Sequence, residues 1–273
     1  MEDERIVCEY SERTDSMEQH FHNTHELIYV KDGVARFRIG TKTYDAGPHT
    51  LVFISRLEEH SVAVVSAPYR RWWMRITGEQ LAAAVDDARL RTVFDRRSPE
   101  FCHAFDVTDV ADDVEYVMTQ IERENIAPRS FKRHRIAALL QLLLITCYRT
   151  KRDQFPLPAH HVSETVLRVQ AYLDAHFSEE VSLEALARDF YLSPSYLSHA
   201  FRDWTGYSPK QYLVLCRLSY ARELLLTTPQ SVSQIAVRCG FGDVNNFIRT
   251  FRKHTDTTPA EYRRNADAKL YET

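Results

Sequence analysis

The chain is short of glycine, has no paired cysteines and lacks any long apolar run, and each shortage narrows what it can be. Seven glycines in 273 residues, beside 44% hydrophobic residues, leave ample material for cores, and the length suggests about two domains. The five cysteines, Cys8, Cys102, Cys147, Cys216 and Cys239, are odd in number, scattered and without CxxC spacing. That argues against a disulfide framework or a structural zinc site and suits a reducing cytosol. The N-terminus, Met-Glu-Asp-Glu-Arg, lacks the basic start and apolar core of a signal peptide. The most apolar run, Ala137 to Cys147, is interrupted by Gln141 and is too short to span a bilayer. A soluble, cytoplasmic protein without membrane contact is expected. Basic excess is missing too, since the formal net charge is -3, yet the charge is unevenly spread. From Arg188 to Arg264 there are eleven Lys and Arg against six Asp and Glu, a local surplus of five, as suits contact with phosphates.

That basic stretch contains one helical module written twice. Phe201-Arg202-x2-Thr205-x2-Ser208-Pro209-x2-Tyr212 returns fifty positions later as Phe251-Arg252-x2-Thr255-x2-Thr258-Pro259-x2-Tyr262. In the first copy Ser182 can cap a helix with Leu183, Leu186, Ala187 and Phe190 on one face, and Ser193-Pro194 opens a second helix. Tyr196, Leu197, Ala200, Phe201 and Trp204 are expected inward on that second helix, with Ser195, Ser198, His199 and Arg202 outward. In the second copy Ser231 to Gln234 is a capping box, Cys239 to Gly242 a turn one residue longer, and Asp243 the cap of the next helix. Phe247, Ile248 and Phe251 are expected inward there, and Asn245, Asn246, Arg249 and Arg252 outward. Two short helices joined by a tight turn, the second presenting polar side chains, form the helix-turn-helix pattern.

The frame Gly240-Phe241-x5-Phe247-x3-Phe251-Arg-Lys-x4-Thr258-Pro259-x2-Tyr262-Arg263 resembles the signature of AraC/XylS-type transcription regulators. The resemblance spans about a hundred residues, Glu164 to Arg264, and implies a DNA-binding domain of two helix-turn-helix units joined by a long helix. Asp256 stands where that family usually has glycine, a mild departure because Asp tolerates a left-handed cap. Tyr191 fills the first turn. Recognition helices place their N-terminal residues at base edges, so Ser195, Ser198 and His199, then Asn245, Asn246 and Arg249, are the candidate readers of double-stranded DNA. Asn pairs with adenine and Arg with guanine. Arg202, Arg252 and Lys253 lie further along and suit phosphates, which position without specifying. Ser208 to Gln211 is a capping box opening a helix to about Leu226, a rigid spacer between the units.

Residues 20 to 77 read as short strands. Glu26 to Lys31 and Val34 to Ile39 flank Asp32-Gly33, a two-residue hairpin signal. Lys42 to Asp45, Leu51 to Ile54, Ser61 to Val65 and Arg71 to Thr77 follow at short intervals, a small barrel or jelly roll. Glu79 to Leu90 looks helical. Val110, Val114, Val117, Met118 and Ile121, then Ile136, Leu139, Leu140, Leu143, Leu144 and Cys147, form two apolar stripes separated by Asn125 to Pro128, an antiparallel helical hairpin. The expected chain is therefore α+β. Residues 1–150 form a cupin-like barrel with its hairpin, 151–163 a linker, and 164–273 the all-α domain with both helix-turn-helix units. The family resemblance makes the hairpin a dimerisation element and the protein a homodimer; simple packing on the barrel is the alternative.

His20-Phe-His22-x3-Glu26-x6-Gly33, with Tyr44-x2-Gly47 and the later His60, is similar to the cupin pattern and to the sensing domain of many AraC-type regulators. In metal-binding cupins the HxH pair, the Glu and the later His converge on one ion. The second cupin motif is degraded, with Ser55 in place of a proline, and in AraC-type sensors these positions commonly serve the hairpin and pocket without metal. No cofactor is therefore expected, and His20, His22, Glu26 and His60 are taken as lining an effector pocket. Strand alternation over Tyr69 to Arg75 puts Arg71, Trp73 and Arg75 on one face and Trp72, Met74 and Ile76 on the other; either one face is core and the other faces solvent or the following helix, or Trp73 with an arginine such as Arg75 lines the mouth of a pocket for a polar ligand. The resulting expectation is not an enzyme but a DNA-binding regulator answering to a small polar effector, sugars being the effectors of many family members. A metal-dependent cupin enzyme fused to a DNA-binding domain is the alternative, and a DNA-binding protein whose barrel only dimerises is a third.

Overall fold

The computed structural model describes residues 6–95, 101–127, 129–155 and 164–271, and the chain divides into two compact units, Met1–Ala159 and His160–Thr273. In the first unit seven strands form an antiparallel sheet: β1 (Val7–Arg13), β2 (Met17–His20), β3 (His25–Ile39), β4 (Lys42–Ala46), β5 (Thr50–Ile54), β6 (His60–Ile76) and β7 (Ala104–Asp106). The order is β1-β6-β3-β5-β7, with β2 paired to β6 and β4 to β3.

The expected hairpin at Asp32-Gly33 does not form. β3 runs on through both residues and pairs with β6 along its length, from His25 opposite Ile76 to Ile39 opposite His60. The Asp-Gly pair makes a bulge instead of a turn. Gly33 has φ +76°, and a Cβ there would sit 2.3 Å from the Pro68 carbonyl oxygen and 2.6 Å from that of Ser66, so only glycine fits against the facing strand. The bulge changes the parity of the strand. Before it the even residues Ile28 and Val30 enter the cluster enclosed by strands; after it the odd residues Ala35, Phe37 and Ile39 do. β6 makes the same change around Pro68, from Val62 and Val64 to Tyr69 and Trp73. One extra residue in each strand thus lets two long strands bend together while keeping one apolar face inside.

The other sheet face is covered by helices α1 (Gly78–Ala84), α2 (Ala88–Asp95), α3 (Ala111–Ile126) and α4 (Lys132–Thr150). Leu27, Tyr29, Trp72, Met74 and Ile76 pack there against Val114, Val117, Met118, Ile121, Ile136, Leu140, Leu143, Leu144 and Cys147, the two stripes expected of the hairpin. The single helix expected over Glu79 to Leu90 is instead α1 and α2, with Val85 leaving the helix in extended conformation. Asn125 and Ile126 remain helical, and Pro128 lies outside the described residues. Within the stretch expected as a linker, Phe155 is buried in this first core beside Tyr148 and Phe105; residues 156–163 lie outside the described residues.

The second unit is all helical: α5 (Glu164–Ala175), α6 (Leu183–Asp189), α7 (Pro194–Thr205), α8 (Pro209–Thr227), α9 (Val232–Arg238), α10 (Val244–Thr255) and α11 (Pro259–Tyr271). Trp204 Nε1 donates to Gln170 Oε1 at 2.9 Å, and Tyr212 donates to Asp174 at 2.8 Å, tying α5 to α7 and α8. Among the described residues no helix is long and apolar enough to cross a membrane.

Candidate functional site

The two helix-turn-helix units are built by the same local chemistry. Ser193 accepts the N–H of Tyr196 and Pro194 fills the first helical position, opening α7; the Asp243 carboxylate accepts the N–H groups of Asn245 and Asn246, opening α10. Leu197 and Phe201 are buried on α7, Phe247 and Phe251 on α10. Both helices end in a left-handed cap, Gly206 at φ 80° and Asp256 at φ 58°, so Asp256 does adopt the conformation the family gives to glycine. In the turns, Gly240 at φ +80° leaves a Cβ only 2.4 Å from the Ser178 carbonyl oxygen, which makes glycine obligatory there. Tyr191, its counterpart, is also left-handed at φ 57°, but its side chain is 96% exposed.

Of the expected readers, Ser195, His199 and Arg202 are exposed on α7, as are Asn245, Asn246, Arg249, Arg252 and Lys253 on α10. Two positions on α7 differ from expectation. Tyr196, taken as a core residue, is 49% exposed, whereas Ser198, taken as a reader, is half-buried. The fifty-residue repeat explains both, because Tyr196 falls where α10 has exposed Asn246 and Ser198 where it has half-buried Ile248. An amphipathic periodicity assigns a tyrosine to the core, and the repeat register was the signal that could have corrected it. Arg249 Nη2 donates to Asn246 Oδ1 at 3.2 Å, so two of the outward groups on α10 are already oriented by one another. α8 joins the units through a full capping box between Ser208 and Gln211, and its 19 residues give a rod of about 28 Å.

In the first unit the structure gathers the other expected residues at one end of the strand-enclosed face. His20 ends β2, His22 follows it, Glu26 lies near the start of β3 and His60 opens β6. One ligand nitrogen from each of His20, His22 and His60 lies within 4.8 Å of the others. Glu26 Oε2 is 3.1 Å from His22 Nε2 and 3.3 Å from His60 Nε2. Burial alone would push the Glu26 carboxyl up; the imidazoles of His22 and His60 outweigh it and hold the group well below the usual carboxylate range. Burial pushes the His22 imidazole down, against the pull of Glu26. His25, next in sequence, is buried against the Phe94 ring instead.

Trp73 and Arg75 share the face of Glu26, since Glu26 pairs with Arg75 and Ile28 with Trp73. The Arg75 guanidinium lies over the Trp73 ring at 5.4 Å. Arg71, which alternation puts on the same face, is 6% exposed and stacks at 5.5 Å on the ring of buried Tyr69. Arg71 Nη1 and Arg75 Nε are buried without a hydrogen-bond partner. Two guanidinium groups are thus held where they can meet acceptor atoms of a ligand; Arg71 belongs with the expected lining residues, and the alternation that placed it beside them already pointed to it.

Residues 6–108 match the family of the AraC-like ligand binding domain, and residues 186–265 match a helix-turn-helix domain family. The HTH-type transcriptional regulator YdiP of Escherichia coli strain K12 is 28% identical over 253 residues, 90% of this chain and 80% of that protein. The HTH-type transcriptional activator RhaS of Enterobacter sp. strain 638 is 28% identical over 262 residues, 92% of this chain and 89% of its own. RhaS of Citrobacter koseri is 44% identical over 100 residues, 37% of this chain and 36% of that protein. A solved structure of ToxT from Vibrio cholerae O395 has a similar fold, with a TM-score of 0.64 at 12% identity, covering 95% of this chain and 97% of that one. With an AraC-like ligand binding domain at its head and the matching double helix-turn-helix at its tail, the chain is an AraC-family transcription regulator.

Proposed function

We propose that the protein is a cytoplasmic, homodimeric regulator that reads an operator with α7 and α10 and answers to a small polar effector held on the inner face of its sheet. The observation that carries the reading is the matched outward set on the two helices: Ser195, Tyr196, His199 and Arg202 on one, and Asn245, Asn246, Arg249, Arg252 and Lys253 on the other. Each set follows a well-capped N-terminus, where a recognition helix meets base edges. α10 has the better reading chemistry, since Asn and Arg match adenine and guanine bidentately. If α8 sets both helices into one face of a duplex, their contacts fall about one helical turn apart, roughly 34 Å.

Two observations support a polar effector. Arg71 and Arg75 offer buried N–H groups, and Trp73 supplies an aromatic wall beside them. A sugar bearing hydroxyl acceptors is one such ligand. The α3–α4 hairpin, which exposes Tyr116, Ile126, Phe131 and Leu142, is the element we assign to dimerisation. The test is selection of operator sequences from a random duplex pool with the full-length protein, followed by footprinting. Two protected half-sites about one turn apart support the reading; binding without sequence preference, or a single contacted groove segment, would remove it.

A further inference from the structure

Where β1 and β6 run side by side, the strand-enclosed face collects three polar atoms that the fold leaves unsatisfied. Antiparallel pairing sets Ser11 opposite Arg71, and directly opposed residues share a face. The hydroxyls of Ser11 and Tyr69 and the Nη1 atom of Arg71 are each buried without a hydrogen-bond partner. Arg71 is 6% exposed, and its guanidinium carbon lies 5.5 Å from the centre of the fully buried Tyr69 ring, so the three belong to one spot. Among the described residues no carboxylate stands within ion-pair distance of Arg71. Asp15 pairs with Arg13 at 2.8 Å, and the carboxylate of Glu26 is engaged by His22 and His60 at 3.1 and 3.3 Å.

A charge taken out of water without a counter-ion is among the costliest arrangements a core can hold. Burial pushes the Arg71 guanidinium down from its ordinary range, yet an arginine keeps its charge at neutral pH and only donates. Burial also pushes the Tyr69 phenol up, so its O–H keeps the proton and can donate, as can that of Ser11. Three donors and one positive charge call for a partner that accepts and is negative. A neutral hydroxyl would accept but leave the charge unbalanced. A carboxylate has one charge and about four lone-pair sites, enough for all three. A phosphate brings a charge of about −1.5 to −2, and the second cation of this face is too far to share it: Arg75 is four residues along β6, about 13 Å, with Glu26 opposite it.

Building on the effector reading of this face, we propose that Arg71, Ser11 and Tyr69 form a carboxylate-binding subsite and that the effector is a small organic acid, not a neutral sugar. The carboxylate is received at Arg71. The body of the acid runs along β6 over Trp73, and its far end offers an acceptor to Arg75, whose guanidinium stacks on Trp73 at 5.4 Å and whose Nε is buried without a partner. A polar monocarboxylic acid with hydroxyl or carbonyl oxygens on its body has the matching chemistry.

The experiment titrates the full-length protein with lactate and D-glucuronate, each against its neutral counterpart, lactamide and D-glucose, with inorganic phosphate as a further arm. Nitrogen-15 spectra follow the arginine Nε–H signals, with that of Arg71 assigned by its loss in Arg71→Lys, and thermal melts follow the first unit. Both acids are expected to move the Arg71 signal and, at a hundredfold excess over Kd, to raise Tm by on the order of 5–10 °C. The neutral counterparts should bind at least about 10-fold more weakly, and Ser11→Ala should weaken the acids by about 10-fold. Arg71→Met should abolish acid binding, and because it removes an unpaired buried charge the ligand-free Tm should hold or rise, a readout that needs no ligand. An Arg71 signal unmoved by either acid, equal affinity for acid and neutral counterpart, tighter binding of phosphate than of both acids, or a ligand-free Tm lowered by more than about 5 °C in Arg71→Met each overturns the proposal. Operator affinity is scored separately with every probe. If D-glucose alters it and neither acid binds, the organic acid falls while the polar-effector reading stands; if the acids bind at Arg71 and operator affinity does not move, the subsite stands and the effector reading falls.

Discussion

Replacing Arg249 with alanine removes an exposed guanidinium nearly two turns beyond the α10 cap, while the core of that helix, Phe247 and Phe251, is left untouched. Folding stability should therefore change by less than about 0.5 kcal/mol. A bidentate guanidinium–guanine contact is worth about 1–3 kcal/mol of discrimination. Part of that is offset in advance, because Arg249 must release its hydrogen bond to Asn246 at 3.2 Å. At an exposed site such a bond contributes near the low end of about 0.5–1.5 kcal/mol. The net loss on the preferred operator is then about 1–2 kcal/mol, roughly 5- to 30-fold in Kd. Operators carrying another base at the same position should lose much less, so the preference there flattens. Fluorescence anisotropy on four operators differing at that one base, at fixed salt, measures both quantities. An equal loss on all four would mean that Arg249 contacts phosphate, and its role as a reader would fail.

Arg252→Ala should behave in the opposite way, weakening all operators alike and reducing the slope of log K against log salt by about one, measured by repeating the titration across salt concentrations. The two turns offer a paired stability test. Gly240→Ala should destabilise the second unit by at least about 1–3 kcal/mol, because its Cβ would strike the Ser178 carbonyl at φ +80°, whereas Tyr191→Gly should stabilise it by about 1 kcal/mol by relieving a left-handed tyrosine; urea denaturation of both variants checks the signs. Residues 160–273 alone should bind a two-site operator more weakly than the intact chain, since joining two subunits raises the effective concentration of the second, and equal affinities would argue against dimerisation through the first unit. Trp73→Ala should remove the effect of effector on operator affinity, an effect typically about 5- to 150-fold, as read by DNA titrations with and without the effector.

Much of the second unit was legible because its cues are local and doubled. Ser193-Pro194, Ser208 to Gln211, Ser231 to Gln234 and Asp243 each cap the helix they were expected to cap, and a capping residue needs only its own backbone to act. The first unit was harder for the opposite reason. β1 and β2 depend on pairing with β6, some forty to seventy residues away, and no local pattern announces such a partner. Asp32-Gly33 shows the ambiguity most sharply. A hairpin and a bulge both need a positive φ, and what separates them is whether the chain beyond pairs with itself or with a distant strand. Here β6 lies alongside through both halves of β3, and the glycine bends the pair together.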